Sequence, residues 1–240
     1  MKTIGGPASG GYYGPRDLSV AGRRRHPLGV VALGDSITVG EGSMVLGVTP
    51  LSWAQWLARA LDLPYTSYAV NGAVVADVVR DQLPRVRGDY DVGCLYAGVN
   101  DVRDPAFDPD AYERDLLAAA RGLAERSARL LMMTLPLRLG RPTAAPKPAI
   151  ANGAVRRIAR TTGAVLCELD DLRGWVEILP DEVHPTAVGQ VVIADRAARA
   201  LGAPVLPSRL AGLPTRRRER LRHLPGHLRA LLREAADRRL

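Results

Sequence analysis

Aromatic side chains are scarce in this chain. Phe107 is the only phenylalanine among 240 residues, and Phe, Trp and Tyr together make up 5%. With 47% of residues hydrophobic, the core of a domain has to be built mainly from Val, Leu, Ala and Ile. Cysteine is rarer still. Cys94 and Cys167 each fall inside an apolar run, the pattern of buried free thiols, with neither a disulfide framework nor metal-ligand spacing. No run approaches the ~18 apolar residues that a membrane span requires. The opening stretch, Met1 to Pro15, carries Gly, Pro and Tyr in place of the apolar centre of a secretory signal. The expectation is a soluble, cytoplasmic protein.

Acidic residues are in deficit, and the net charge is +8. The deficit is local. From Arg209 to Leu240 there are ten Arg against Glu219, Glu234 and Asp237, so seven of the eight positive charges belong to that tail. It reads as one or two basic amphipathic helices broken at Pro225-Gly226. A solvated or domain-capping helix accounts for it, and so does a weak contact with a polyanion or membrane surface through residues 209–240. The body has no charge excess of the kind that marks specific nucleic-acid binding.

What is present is alternation. Residues 1–26 read as a flexible N-terminal arm, 27–204 as the folded domain, and 205–240 as the basic helical tail. Within the domain, continuous apolar runs at 28–34, 65–70, 91–98, 128–136 and 163–170 predict five strands. Helical spacing predicts helices at 50–63, 73–83, 108–127, 149–162 and 185–202 between and after them. Continuous apolar strands separated by amphipathic helices imply a parallel sheet covered on both faces. The expected fold is a three-layer α/β/α sandwich around a doubly wound five-stranded parallel sheet. Ligands in that architecture bind beyond the carboxyl ends of the strands.

Polar residues stand at those ends. Ser36 follows the first strand in Gly34-Asp35-Ser36, Asn71-Gly72 follows the second, Gly98-Val99-Asn100-Asp101 the third, and Asp181-Glu182-Val183-His184 the fifth. Taken singly, each is an ordinary turn, cap or helix start. Together they meet the needs of acyl transfer. A serine hydroxyl needs an adjacent base, and histidine is suited to that near neutral pH. The imidazole needs a carboxylate to fix its tautomer, and a tetrahedral oxyanion needs preorganised donors. The backbone N–H groups of Ser36 and Gly72 and the amide of Asn100 are three such donors. His184 is the one histidine within the body, since His26 lies in the arm and His223 and His227 in the tail.

The ordered blocks Gly34-Asp35-Ser36-Ile37, Gly72, Gly98-x-Asn100-Asp101 and Asp181-x-x-His184-Pro185 resemble those of the SGNH/GDSL hydrolases. The similarity is closest to the compact bacterial GDSL-like lipase/acylhydrolase group and spans about residues 28–202. Ile37 stands for the Leu of the name motif, and Ser67 stands where relatives often carry Asn. The resemblance implies a flavodoxin-like fold, Ser36 as nucleophile, His184 as general base and Asp181 as its orienting acid. Ser36, Gly72 and Asn100 would form the oxyanion hole. The G-x-S-x-G elbow of the other large esterase fold is absent, because position 38 is Thr.

The expected activity is hydrolysis of a small-molecule, lipid or carbohydrate acyl ester without cofactor or metal. An acyltransferase using the same site is one alternative, and a binding module acting through the basic tail is another. Asp35 and Asp101 are read as braces of the site loops, and Trp53 and Trp56 as packing. Trp175 is a substrate-lining candidate, while Arg138, Arg141 and Lys147 are expected on a solvated loop.

Overall fold

Val30, Val31, Ala32 and Leu33 have no solvent exposure, as a strand covered on both faces and paired along both edges requires. In the computed structural model, which describes residues 27–42, 44–140 and 142–213, this strand is β1 (Val30–Gly34). It pairs in parallel with β2 (Tyr65–Ser67) on one side, Val30 opposite Tyr65, and with β3 (Tyr90–Tyr96) on the other, Val30 opposite Val92 and Gly34 opposite Tyr96. β4 (Ser127–Met133) and β5 (Val165–Cys167) extend the sheet to the order β2-β1-β3-β4-β5, all parallel. The arm, Arg141 and the tail beyond residue 213 lie outside the described residues, and with them His26, His223 and His227.

The chain leaves β1 in one direction and returns to the far side of it for β3, so β1 and β3 flank the topological switch point. Helices cover both faces. α1 (Ser36–Val39) is a single turn at the end of β1, and α2 (Trp53–Leu61) packs against α7 (Ala187–Leu201) and α8 (Pro207–Leu210). α3 (Val75–Asp77), α5 (Pro109–Ala124) and α6 (Lys147–Thr162) pack together as the other layer, and α4 (Val99–Arg103) leads out of β3. The expected doubly wound sandwich is the observed fold. Its core is aliphatic, centred on Leu33, Leu95, Leu131 and Met132, with Trp53 against Tyr96 edge to face at 6.2 Å.

Local chemistry sets the helix ends. Ser52 accepts from Gln55 N–H to start α2, two residues after Pro50. The Asp108 side chain accepts from Asp110 and Ala111 N–H at the start of α5, where Asp-Pro is the capping signal. Thr186 caps α7 by accepting from Gly189 N–H, so the helix begins after Pro185 rather than at it. β2 and β5 are each three residues long, shorter than their apolar runs, because only that length is paired in register. The helix expected over 73–83 is one α-turn that widens into a π-turn at Val78–Gln82 and tightens into a 3₁₀ turn at Leu83–Arg85. No helix among the described residues is long and apolar enough to cross a membrane.

Candidate active site

β1 ends where Gly34 passes the neighbouring strand too closely for a side chain. A Cβ there would lie 2.1 Å from Tyr96 O. Asp35, completely buried, then turns the chain by accepting from Ile37 N–H at 3.0 Å through Oδ1, and Ser36 opens α1. The first N–H groups of a helix lack intrahelical acceptors. Among the described residues no acceptor pairs with the backbone N–H of Ser36.

The structure brings His184 to this turn from the far end of the chain. Ser36 Oγ lies 2.9 Å from His184 Nε2, and His184 Nδ1 lies 2.7 Å from Asp181 Oδ2. Asp181 Oδ1 accepts from the N–H groups of Val183 (2.9 Å) and His184 (3.0 Å). Burial alone would push this carboxyl up. The bonds from His184 and from the two N–H groups outweigh that and hold it at about 2. The loop that carries the pair is pinned on both sides: Leu179 N–H donates to His184 O at 2.8 Å, and Thr186 N–H to Glu177 O at 2.8 Å. The tight turn between them takes Glu182 to φ 56°.

The second and third strand ends meet at the same place. Asn100 Nδ2 donates to Ala73 O at 3.0 Å, leaving its other amide hydrogen for a ligand. Gly72, at φ +77° with open space where a Cβ would stand, presents a backbone N–H that has no acceptor among the described residues. Asp101 accepts from Val75 N–H through both carboxylate oxygens at 3.2 Å. That bond ties the start of α3, just beyond the loop after β2, to α4, the bracing expected of Asp101. Burial pushes Asp101 up to about 6, against the pull of that bond.

Behind Ser36 lies a buried polar knot. Asp35 Oδ2, Tyr96 Oη and Tyr112 Oη each lack a hydrogen-bond partner among the described residues. Burial raises Asp35 to about 7, although the Ile37 N–H bond and the nearby His184 act to lower it. Burial likewise raises both tyrosines, with Asp35 adding to the effect on each.

Three contributors carry no sequence signal. Gln82, at the end of the π-turn, is buried and grips Gly34 with both ends of its amide: Oε1 accepts from Gly34 N–H at 2.9 Å and Nε2 donates to Gly34 O at 2.8 Å. Gln190 on α7 accepts from Trp53 N–H at 2.8 Å and donates to Ile37 O at 3.0 Å. Glu41, after α1, places Oε2 3.4 Å from His184 Nε2. A glutamine on an amphipathic helix reads as solvent-facing, and a glutamate between glycines as part of a solvated loop. Only the partner's position in space distinguishes them.

Trp53 and Trp56 are buried packing residues, as expected, and Trp53 Nε1 also donates to Thr38 Oγ1 at 3.3 Å. Trp175 is half exposed and lines a cavity of about 360 Å³ with Arg138, Leu172, Ile178, Leu179 and Glu182. That cavity borders the loop of Asp181, and neither Ser36 nor His184 lines it. Lys147 Nζ donates to Asp104 O at 2.6 Å. Among the described residues no cluster of His, Cys, Asp and Glu has the makings of a metal site.

Known structures share this arrangement of strands and helices. An alpha/beta hydrolase enzyme, LAE5, from the metagenome of Lake Arreo superposes with a TM-score of 0.60 at 21% identity, over 72% of this chain and 94% of its own. The acetylxylan esterase Axe2 from Geobacillus stearothermophilus gives 0.58 at 19% identity, over 72% and 94%. The acetyl xylan esterase AlAXEase gives 0.57 at 21%, over 72% and 99%. At such identities the likeness establishes the fold. No curated protein sequence matches the chain. The model of the GDSL-like Lipase/Acylhydrolase family matches residues 32–192, from within β1 to within α7, which takes in all four polar blocks. The chain therefore belongs to the GDSL-like lipase/acylhydrolase family, and is a carboxylic ester hydrolase of that type.

Proposed function

We propose that this protein cleaves esters through a covalent acyl-enzyme on Ser36. The observation that carries the reading is the unbroken chain from Ser36 Oγ to His184 Nε2 (2.9 Å) and from His184 Nδ1 to Asp181 (2.7 Å). Asp181, ionised across the physiological range, accepts from Nδ1–H and so leaves Nε2 as the acceptor for the serine proton. As Ser36 Oγ bonds to the ester carbonyl carbon, its proton passes to Nε2 and the carbonyl oxygen takes up negative charge. That oxyanion is held by Ser36 N–H, Gly72 N–H and the second hydrogen of Asn100 Nδ2. The intermediate collapses as His184 returns the proton to the departing alkoxide. Water, deprotonated by the same nitrogen, then cleaves the acyl-serine to release the carboxylic acid and restore Ser36.

The three donors come from three strand ends and the relay from a fourth, so the site is a property of the sheet edge rather than of one loop. Trp175 and its apolar neighbours form the wall beside Asp181 and are assigned to the non-reacting part of the substrate. Relatives of this fold that act on acetylxylan make short acyl esters of carbohydrates the first natural substrates to test. The purified protein is expected to hydrolyse a short-chain 4-nitrophenyl ester and to be labelled by a fluorophosphonate at Ser36. Ser36→Ala should abolish both. Full activity in that variant, or labelling at another residue, overturns the mechanism.

A further inference from the structure

Glu41 takes no part in the relay, yet it is held against it. Its N–H donates to Ser36 O at 3.1 Å, and its carbonyl accepts from Gln190 Nε2 at 3.4 Å. Its side chain is held too. Asn71 Nδ2 donates to Oε1, and Oε2 lies 3.4 Å from His184 Nε2. The ring nitrogen that faces Ser36 Oγ thus also faces a carboxylate, while Asp181 contacts the opposite nitrogen. Asn71 directly precedes Gly72, so one loop both presents an oxyanion donor and aims this carboxylate. The Glu41 side chain is 39% exposed, open to a ligand.

Its position fixes what it meets. To be protonated, the departing oxygen has to come within about 3 Å of Nε2. An oxygen there and a carboxylate 3.4 Å from the same nitrogen are neighbours. The first few atoms of the leaving group beyond the ester oxygen then pass roughly 4–7 Å from Oε2. At that range, in a partly wet site, a unit charge on the leaving group is worth a factor of about 3 to 20 in rate.

We infer that Glu41 is a specificity-determining residue that selects esters by the charge of the leaving group, favouring cationic alcohols or thiols over neutral isosteres and rejecting anionic ones. The inference rests on the serine-hydrolase reading of Ser36, His184 and Asp181. Glu41 acts on the transition state by its field and makes no covalent contact, so its effect appears as a ratio between substrates of equal shape. A carboxylate that merely braced the Asn71 loop would change all substrates alike.

The test uses three thioacetates, read by release of the free thiol. These are acetylthiocholine (cationic), S-(3,3-dimethylbutyl) thioacetate (its neutral isostere) and 3-(acetylthio)propanoate (anionic). The wild-type kcat/KM should favour the cation over the isostere by about 3- to 20-fold at low salt, shrinking as salt screens the field. The anion should fall below the isostere. Glu41→Gln keeps the shape and an oxygen for Asn71, and should bring the cation-to-neutral ratio within about twofold of one. Glu41→Lys should invert the order, whatever either variant does to absolute rates. An unchanged ratio in both variants, or a wild-type ratio at or below one, overturns the role of Glu41 while leaving Ser36 in place. If the wild type hydrolyses a 4-nitrophenyl ester but none of the three, the role of Glu41 falls while Ser36 stands. If Ser36→Ala hydrolyses them as well as the wild type does, the serine mechanism fails and this inference with it.

Discussion

Replacing Asp35 by Asn should make the protein more stable relative to wild type as pH rises. Asp35 has no solvent exposure, accepts one backbone bond through Oδ1, and has no partner for Oδ2 among the described residues. Burial raises its carboxyl from 3.8 to about 7. Below pH 4 the group is protonated both folded and unfolded and contributes no pH dependence. Between about 4 and 7 the unfolded chain releases its proton while the folded one keeps it, so folding stability falls with each pH unit. Above 7 the full difference applies. Three units at 1.36 kcal/mol each give about 4 kcal/mol. An asparagine at this position cannot titrate and keeps a carbonyl oxygen for Ile37 N–H. Unfolding by urea at 25 °C, measured for both proteins from pH 4 to 8.5, should therefore show the advantage of Asp35→Asn growing by about 4 kcal/mol across that range. Asp101 titrates in the same window in both proteins, and its repulsion of Asp35 is part of the difference being measured. A difference that stays flat with pH, or runs the other way, refutes the upward shift of the buried Asp35 carboxyl beneath Ser36.

Asp181→Asn should lower kcat by about three to four orders of magnitude, because the amide no longer selects the Nδ1–H tautomer. The stabilisation that Asp181 contributes should persist above pH 4 and be lost only as pH falls towards 2, visible in acid unfolding of wild type against variant. Asn100→Ala should cost about 10²- to 10³-fold in kcat on a nitrophenyl ester, a loss from the oxyanion hole rather than from binding. Gln82→Leu should strand Gly34 N–H, and should lower stability by about 1–3 kcal/mol in urea unfolding together with kcat at little-changed KM. An unaltered kcat in that variant would show that the amide grip does not position Ser36.

The strands and the four polar blocks were legible because their signals are local. A buried parallel strand is a continuous apolar run, and its end is marked by whichever small or polar residue must turn the chain. His184 stood out because no other histidine falls in the body. What held the blocks together was not legible. Gln82 reaches Gly34 only because a π-turn rotates it inward, and a π-turn has no composition that separates it from an α-turn. Gln190 and Glu41 look like solvent-facing side chains until α7 is laid against α1. The short α1 was hidden for the same reason: four residues cannot stabilise a helix, and Asp35 capping plus packing on Trp53 supply what propensity does not. Element lengths also shifted, since β2 and β5 stop where a neighbouring strand stops rather than where apolar residues do.

The bond from Gln190 to Ile37 spans 153 residues, and the one from His184 to Ser36 spans 148. During synthesis, at roughly 5–20 residues per second, the turn at Ser36 waits about 8 to 30 s for the helix that clamps it. Gln82, only 48 residues away from Gly34, arrives much sooner. A ribosome-bound chain therefore carries a turn held from one side and a Ser36 without His184 beside it. The contact between Ser36 and His184 can form only after 148 further residues have been made, so it belongs to the late stage of synthesis while the grip of Gln82 belongs to the early one.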